Sequence, residues 1–142
     1  MPLKENAKYE EWKIHFEKYF GFLEDDVVLI GWSLGGIFLA KYISENEFPK
    51  NIRSVFLIGA PYDDELSGED LTGGFELSDN LDRLDKDNVH IWFSDDDPVV
   101  SKEQSQKYNA KLPNADIRMV KDKNGHFIIK EFSELIYAIK NN

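Results

Sequence analysis

The chain has 142 residues, of which 27 are acidic and 17 are basic, and it contains no cysteine, so its formal net charge is −10. This length predicts a single domain over residues 1–142. The excess of acidic residues, without clustered Lys and Arg, argues against binding to nucleic acids and to anionic membranes. The lack of cysteine excludes disulfides and zinc-thiolate sites.

Apolar periodicity predicts helices and strands that alternate along the chain. Runs of β-branched and other apolar residues, nearly without polar interruption, indicate strands buried on both faces of a parallel sheet. We predict strands over residues 27–30, 52–58, 89–93 and 115–120 and helices over residues 7–22, 34–44 and 101–112. Ser101 is the predicted N-cap of the third helix, three residues before Gln104. A last helix is predicted to have one apolar stripe, formed by Phe132, Leu135, Ile136 and Ile139. This order favours an α/β fold, a three-layer α/β/α sandwich with a mainly parallel sheet.

A glycine-flanked serine lies between the first predicted strand and the second predicted helix. Gly31-Trp32-Ser33-Leu34-Gly35 matches the G-x-S-x-G pattern, in which a sharp turn exposes a nucleophilic serine. Both glycines are expected because larger side chains would clash with the strand and the helix. The N–H of Leu34 would supply one oxyanion donor. Without this context the motif could be a glycine-rich turn that caps a helix, but the flanking elements favour Ser33 as a nucleophile.

A serine nucleophile needs a base and an acid, which in this class of fold follow it in the order Asp, His. His126, in the loop after the last predicted strand, is the predicted base, whereas His15 and His90 are interpreted as surface and structural residues. Asp97, which precedes a proline, is the predicted acid and Asp96 is the alternative, although such an acidic run could also be a solvated loop. All these loops follow strands, so we expect the side chains at one edge of the sheet. No spaced ligand set predicts a metal, and no cofactor is predicted.

Five short segments, spread in order over nearly the whole chain, carry a resemblance to known proteins: residues 9–12, 31–36, 59–61, 94–100 and 125–127. With them the chain resembles the small serine-hydrolase family of YdeN and the retinoblastoma-binding serine hydrolase, a branch of the α/β-hydrolases. The resemblance implies that Ser33 is the nucleophile, Asp97 the triad acid and His126 the base.

The chain departs from that family at its beginning. Family members start with an additional strand and a His-Gly loop that supplies a second oxyanion donor, and no His-Gly pair precedes Ser33. We therefore expect an N-terminally shortened α/β-hydrolase fold, with an activity lowered roughly a hundred- to a thousandfold by the missing donor. The first strand would then be a bare apolar edge, which predicts either a homodimer through the strand near Val27 and Ile30 or another segment that covers this edge.

The predicted function is hydrolysis of a small ester, thioester or amide through an acyl-serine intermediate. The alternative is a catalytically impaired α/β-hydrolase-like protein that binds a protein partner or a small molecule. Trp32, Pro61 and Phe127 are candidates for the lining of an acyl pocket, with core packing as the alternative for Trp32. Residues 62–80 are interpreted as either a lid or an ordinary surface loop. An amino-terminal segment without an apolar core, and no apolar run of about 20 residues, predict a cytoplasmic protein.

Overall fold

The computed structural model describes residues 1, 6–65 and 71–141. Within these ranges helices and strands alternate except between the second and third strands, which only a 3₁₀ turn separates. None of the described helices is long and apolar enough to cross a membrane. The elements are α1 (Tyr9–Glu17), β1 (Val27–Trp32), α2 (Leu34–Glu45), β2 (Ile52–Ile58), β3 (Val89–Ser94), α3 (Gln104–Lys111), β4 (Asp116–Val120) and α4 (Ser133–Asn141), with short 3₁₀ turns at Phe20–Phe22 and Leu84–Lys86.

The strands form one parallel sheet in the order β1-β2-β3-β4. Helices α1, α2 and α3 contribute Trp12, Phe38 and Tyr108 to the larger core cluster on one face of this sheet. Helix α4 packs Leu135 and Ile139 on the other face, against the inward side chains of β2 and β3. Because apolar residues of the central strands are covered on both sides, the predicted three-layer α/β sandwich is confirmed.

The segment proposed above as a lid belongs in part to the core. Leu71 and Phe75 are fully buried, and the ring of Phe75 lies 5.1 Å from that of Trp12 on α1. The N–H of Tyr9 also donates to the carbonyl of Gly73 at 2.9 Å. The lid interpretation is therefore wrong for residues 71–75, since opening them would expose large aromatic surface. Residues 66–70 of the same segment lie outside the described residues.

The first helix is shorter than its apolar spacing predicts. Helix α1 ends at Glu17, and the chain then tightens into the 3₁₀ turn Phe20–Phe22. The turn brings the ring of Phe20 to 5.0 Å from that of Phe48, while Phe16 remains on the core side of α1. Packing of these rings, which sequence spacing cannot show, sets the end of the helix.

Two further details of the predicted helices are wrong. Helix α3 has Glu103 as its N-cap instead of Ser101. The side chain of Gln104 is buried and accepts the N–H of Tyr62 at 2.8 Å, so it fastens the loop after β2 and takes no part in a capping box. In α4 Ile136 is exposed, and Ala138 takes the fourth place on the buried stripe.

Strand β1 lies at one edge of the sheet, as predicted. The N–H groups of Val27 and Ser33 donate towards β2, to the carbonyls of Asn51 and Ile58. Because successive N–H groups of a strand point to opposite sides, those of the alternate residues face the free edge. Side chains on the α4 face of β1 are also open, with 49% of Ile30 and 54% of Trp32 exposed.

Self-association through this edge stays a prediction, and Ile30→Lys tests it. A charge at an exposed edge position disfavours strand pairing between copies. We expect sedimentation velocity to show a dimer for the wild type and a monomer for Ile30→Lys, with Ile14→Lys on the exposed side of α1 as the matched control. A wild type that stays monomeric at high micromolar concentration would contradict the prediction.

Candidate active site

Ser33 occupies a strained turn between β1 and α2. Its backbone has φ 55° and ψ −126°, a region that residues other than glycine rarely adopt. The turn is fixed on both sides, because the N–H of Ser33 donates to Ile58 at 2.9 Å and its carbonyl accepts the N–H of Gly36 at 2.8 Å. Strain that the surrounding structure maintains in this way is typical of functional sites.

The glycines around Ser33 differ in how much space they have. A Cβ on Gly31 would lie 2.4 Å from the carbonyl oxygen of Gly35, so Gly31 is required by close approach of strand and helix. A Cβ on Gly35 would meet nothing within 4 Å, so the expectation that this second glycine is sterically required is wrong. The other tight position is Gly36, whose Cβ would lie 2.5 Å from that of Ala60.

Three side chains from three separate loops meet at the carboxyl edge of the sheet. Ser33 Oγ lies 2.7 Å from Nε2 of His126, and Nδ1 of His126 lies 2.7 Å from Oδ2 of Asp97. Ser33 and His126 are buried, and only 1% of the Asp97 side chain is exposed. The structure thus brings together all three residues that the sequence singles out, in a continuous hydrogen-bonded series shielded from water.

The two candidate acids have different partners. Oδ1 of Asp97 accepts the N–H groups of Val99 and Val100 at 2.8 and 3.0 Å, which turns Oδ2 towards the imidazole. Asp96 is exposed, and its carboxylate accepts hydrogen bonds from the hydroxyl of Ser94 and the N–H of Gly125. These two donors lower the pKa of Asp96. Only Asp97 is joined to the imidazole, so Asp96 does not take its place.

The loop after β4 carries the imidazole and has an unusual backbone. Positive φ values occur at four of its residues, namely Asp122, Asn124, Gly125 and Phe127. Lys123 is buried and pairs with Glu134 of α4 at 2.6 Å, which fixes the loop to that helix. On the other side Gly59 follows β2 with φ 53°, and a Cβ there would come within 3.2 Å of Cε1 of His126. Because Gly59 has no side chain, the imidazole ring of His126 can occupy this space.

The three candidates for a pocket lining occupy different environments. Trp32 is half exposed, and its ring centroid lies 5.4 Å from that of His126. Pro61 is buried, and its carbonyl accepts the hydroxyl of Tyr108 at 2.9 Å. Phe127 belongs to the core cluster beneath α4. Of these three, Trp32 alone presents an exposed side chain beside the serine.

The other two histidines lie apart from this site. His90 is the second residue of β3, at the opposite end of the sheet, where Nδ1 lies 3.0 Å from Oδ2 of Asp116 and the ring stacks on Phe56 at 4.5 Å. Burial opposes ionisation of Asp116, but hydrogen bonds from Arg118 and His90 outweigh it and lower the pKa of Asp116. His15 lies on α1 beside Tyr19. His126 is thus the histidine next to Ser33.

Comparisons with known proteins show a family and a shared fold. A family model described as "Serine hydrolase" matches residues 2–134. No curated protein sequence matches the chain.

Solved structures share the fold at low identity. The ydeN gene product of Bacillus subtilis superposes with a TM-score of 0.80 at 16% identity, over 99% of this chain and 78% of that one. A YdeN-like hydrolase from Pectobacterium atrosepticum has a TM-score of 0.65 at 19% identity, over 96% of this chain and 68% of that one. The esterase EaEST from Exiguobacterium antarcticum has a TM-score of 0.69 at 14% identity, over 96% and 75%. The predicted resemblance and the α/β-hydrolase fold are confirmed.

Proposed function

The chain belongs to the serine hydrolase family, and from this premise we propose that it cleaves a small ester, thioester or amide through an acyl-serine intermediate. The observation that carries the proposal is the hydrogen-bonded series from Asp97 through His126 to Ser33, with both contacts at 2.7 Å. The ester class is further supported by the name of a protein of similar fold, the esterase EaEST.

Acylation would begin with the hydrogen bonds already in place. Nδ1–H of His126 donates to Asp97, which leaves Nε2 as the acceptor of the Ser33 proton. As Ser33 Oγ forms a bond to the acyl carbonyl carbon, its proton moves to Nε2, and the carboxylate of Asp97 stabilises the imidazolium. A serine hydroxyl is a weak nucleophile without such a base, so this proton transfer is what makes attack feasible.

The negative charge of the tetrahedral intermediate would lie at the N-terminus of α2. Leu34 is the first residue of that helix, and the N–H groups of a first helical turn have no intrahelical acceptor. The N–H of Leu34 and the positive end of the helix dipole would therefore stabilise the oxyanion. Collapse breaks the bond to the leaving group, which takes the proton from His126. A water molecule, deprotonated by His126, then attacks the acyl carbon. The bond from this carbon to Oγ of Ser33 breaks, the acid leaves, and His126 returns the proton to Oγ.

Labelling with a fluorophosphonate, which phosphonylates activated serines, tests the proposal. We expect the wild type to carry the adduct on Ser33, located by peptide mass spectrometry, and Ser33→Ala to remain unlabelled. Ser78→Ala, which changes an exposed serine in a loop, is the matched control and should label at the wild-type rate.

The alternative from the sequence is a catalytically impaired relative that binds a protein partner or a small molecule. A sample with a native circular dichroism spectrum that fails to label would overturn the hydrolase proposal and favour this alternative. The cytoplasmic location stays a prediction in both cases.

A further inference from the structure

Two side chains outside the triad hold the backbone on either side of the catalytic imidazole. The indole N–H of Trp32 donates to the carbonyl oxygen of His126 at 3.1 Å. The carboxylate of Asp96 accepts the N–H of Gly125 at 3.0 Å. The peptide unit that enters Gly125, one residue before the base, and the peptide unit that leaves His126 are therefore both held by side chains from other loops.

The side chain that makes each of these contacts belongs to a residue adjacent in sequence to a member of the triad. Trp32 directly precedes Ser33, and Asp96 directly precedes Asp97. We propose that Trp32 and Asp96 are positioning residues, which keep the loop that carries His126 within hydrogen-bonding distance of the nucleophile and the acid. This inference rests on the proposed function of the same site.

The backbone of the histidine loop explains why it needs to be held. Asp122, Asn124 and Phe127 all have positive φ, which residues with a side chain rarely adopt. Such conformations persist only where surrounding contacts enforce them, so the loop should relax when a contact is removed.

Both contacts suit a positioning role. The indole N–H of Trp32 is engaged although about half of the side chain is exposed, so packing alone does not explain its place. The hydrogen bonds from Ser94 and Gly125 lower the pKa of Asp96, so its carboxylate remains an ionised acceptor at neutral pH. A charged acceptor forms a stronger hydrogen bond than a neutral one.

Loss of either contact should slow proton transfer more than it weakens substrate binding. Nε2 of the base must stay within about 2.6–3.2 Å of the oxygen whose proton it takes. A displacement of about 1 Å can lower the rate about a hundredfold. We expect Trp32→Phe and Asp96→Ala each to lower kcat roughly ten- to a hundredfold, with little change in KM.

The matched variants separate positioning from other roles. Asp96→Asn retains a carbonyl oxygen that can accept the N–H of Gly125, so it should restore most of the rate lost in Asp96→Ala. Asp95→Ala removes the adjacent exposed carboxylate, which has no side-chain hydrogen bond among the described residues, and should react like the wild type. Circular dichroism checks that each variant is folded.

Fluorophosphonates with short and long alkyl chains distinguish Trp32 as a positioning residue from Trp32 as a pocket wall. A displaced base slows inactivation by both probes by the same factor. A lost pocket contact changes the two rates by different factors. If the factor by which Trp32→Phe slows inactivation depends on the length of the alkyl chain, the proposal is overturned for this residue. If Trp32→Phe and Asp96→Ala are both inactivated at the wild-type rate, the proposal is overturned for both residues.

A second measurement does not depend on activity. The imidazole ¹⁵N and N–H signals of His126, assigned by comparison with His126→Ala, report the hydrogen bond to Asp97. We expect this N–H signal to broaden or shift in Trp32→Phe and Asp96→Ala and to be retained in Asp95→Ala. If the wild type does not label, the proposed function fails, whereas unchanged His126 signals in the two variants would overturn the positioning role.

Discussion

Asp97→Asn is expected to lower kcat about ten-thousandfold while the protein remains folded. Oδ1 of Asp97 accepts two backbone N–H groups, from Val99 and Val100, so in the variant the amide oxygen must stay at this position. The amide nitrogen is then directed at Nδ1 of His126. Because Nδ1 has to accept this hydrogen bond, the ring proton moves to Nε2, which can no longer accept the proton of Ser33.

Steady-state kinetics with a small chromogenic ester measure this effect, and Asp95→Asn is the matched control. The carboxylate of Asp95 is exposed and has no side-chain hydrogen bond within the described ranges, so we expect a kcat near that of the wild type. Equal losses in the two variants, or an Asp97→Asn kcat within tenfold of the wild type, would contradict Asp97 as the triad acid.

Much of the fold could be predicted because the central strands are nearly continuous apolar runs. The predicted strands over residues 52–58 and 89–93 agree with the bounds of β2 and β3 to within one residue. A parallel sheet also predicts where the site lies, because the carboxyl ends of all its strands are at the same edge. Ser33, Asp97 and His126 each follow a strand, so their proximity could be inferred from chain order before any distance was known.

The details that the sequence could not supply depend on contacts between distant residues. The proline after Asp97 favours it over Asp96 in the sequence, but the amides of Val99 and Val100 that turn its Oδ2 towards the imidazole are visible only in the structure. The contact of Trp32 with the carbonyl of His126 has no sequence signal, because it joins residues 94 positions apart. The adjacency of Trp32 and Asp96 to motif residues was visible, but it does not by itself indicate a hydrogen bond.

Gly31→Ala is expected to lower the free energy of unfolding by about 3 kcal/mol or more and to abolish activity. The added Cβ would lie 2.4 Å from the carbonyl oxygen of Gly35 and 2.6 Å from Cα of Gly36. Both atoms belong to the backbone of the first turn of α2, so no flexible side chain can move away. Relief would require α2 to shift from β1, which would carry Ser33 and the N–H of Leu34 away from the base.

Gly35→Ala, four residues further on in the same motif, is the matched control. It tests whether Gly31 is required by the close approach of β1 and α2, or whether the motif does not tolerate alanine at any of its glycines. Its Cβ would meet nothing within 4 Å, and alanine favours a helix over glycine by about 1 kcal/mol. Chemical denaturation should therefore show a free energy of unfolding equal to that of the wild type or up to about 1 kcal/mol higher. If both variants are destabilised equally, the contact between β1 and α2 is not what requires Gly31, and the turn that presents Ser33 must depend on glycine for another reason.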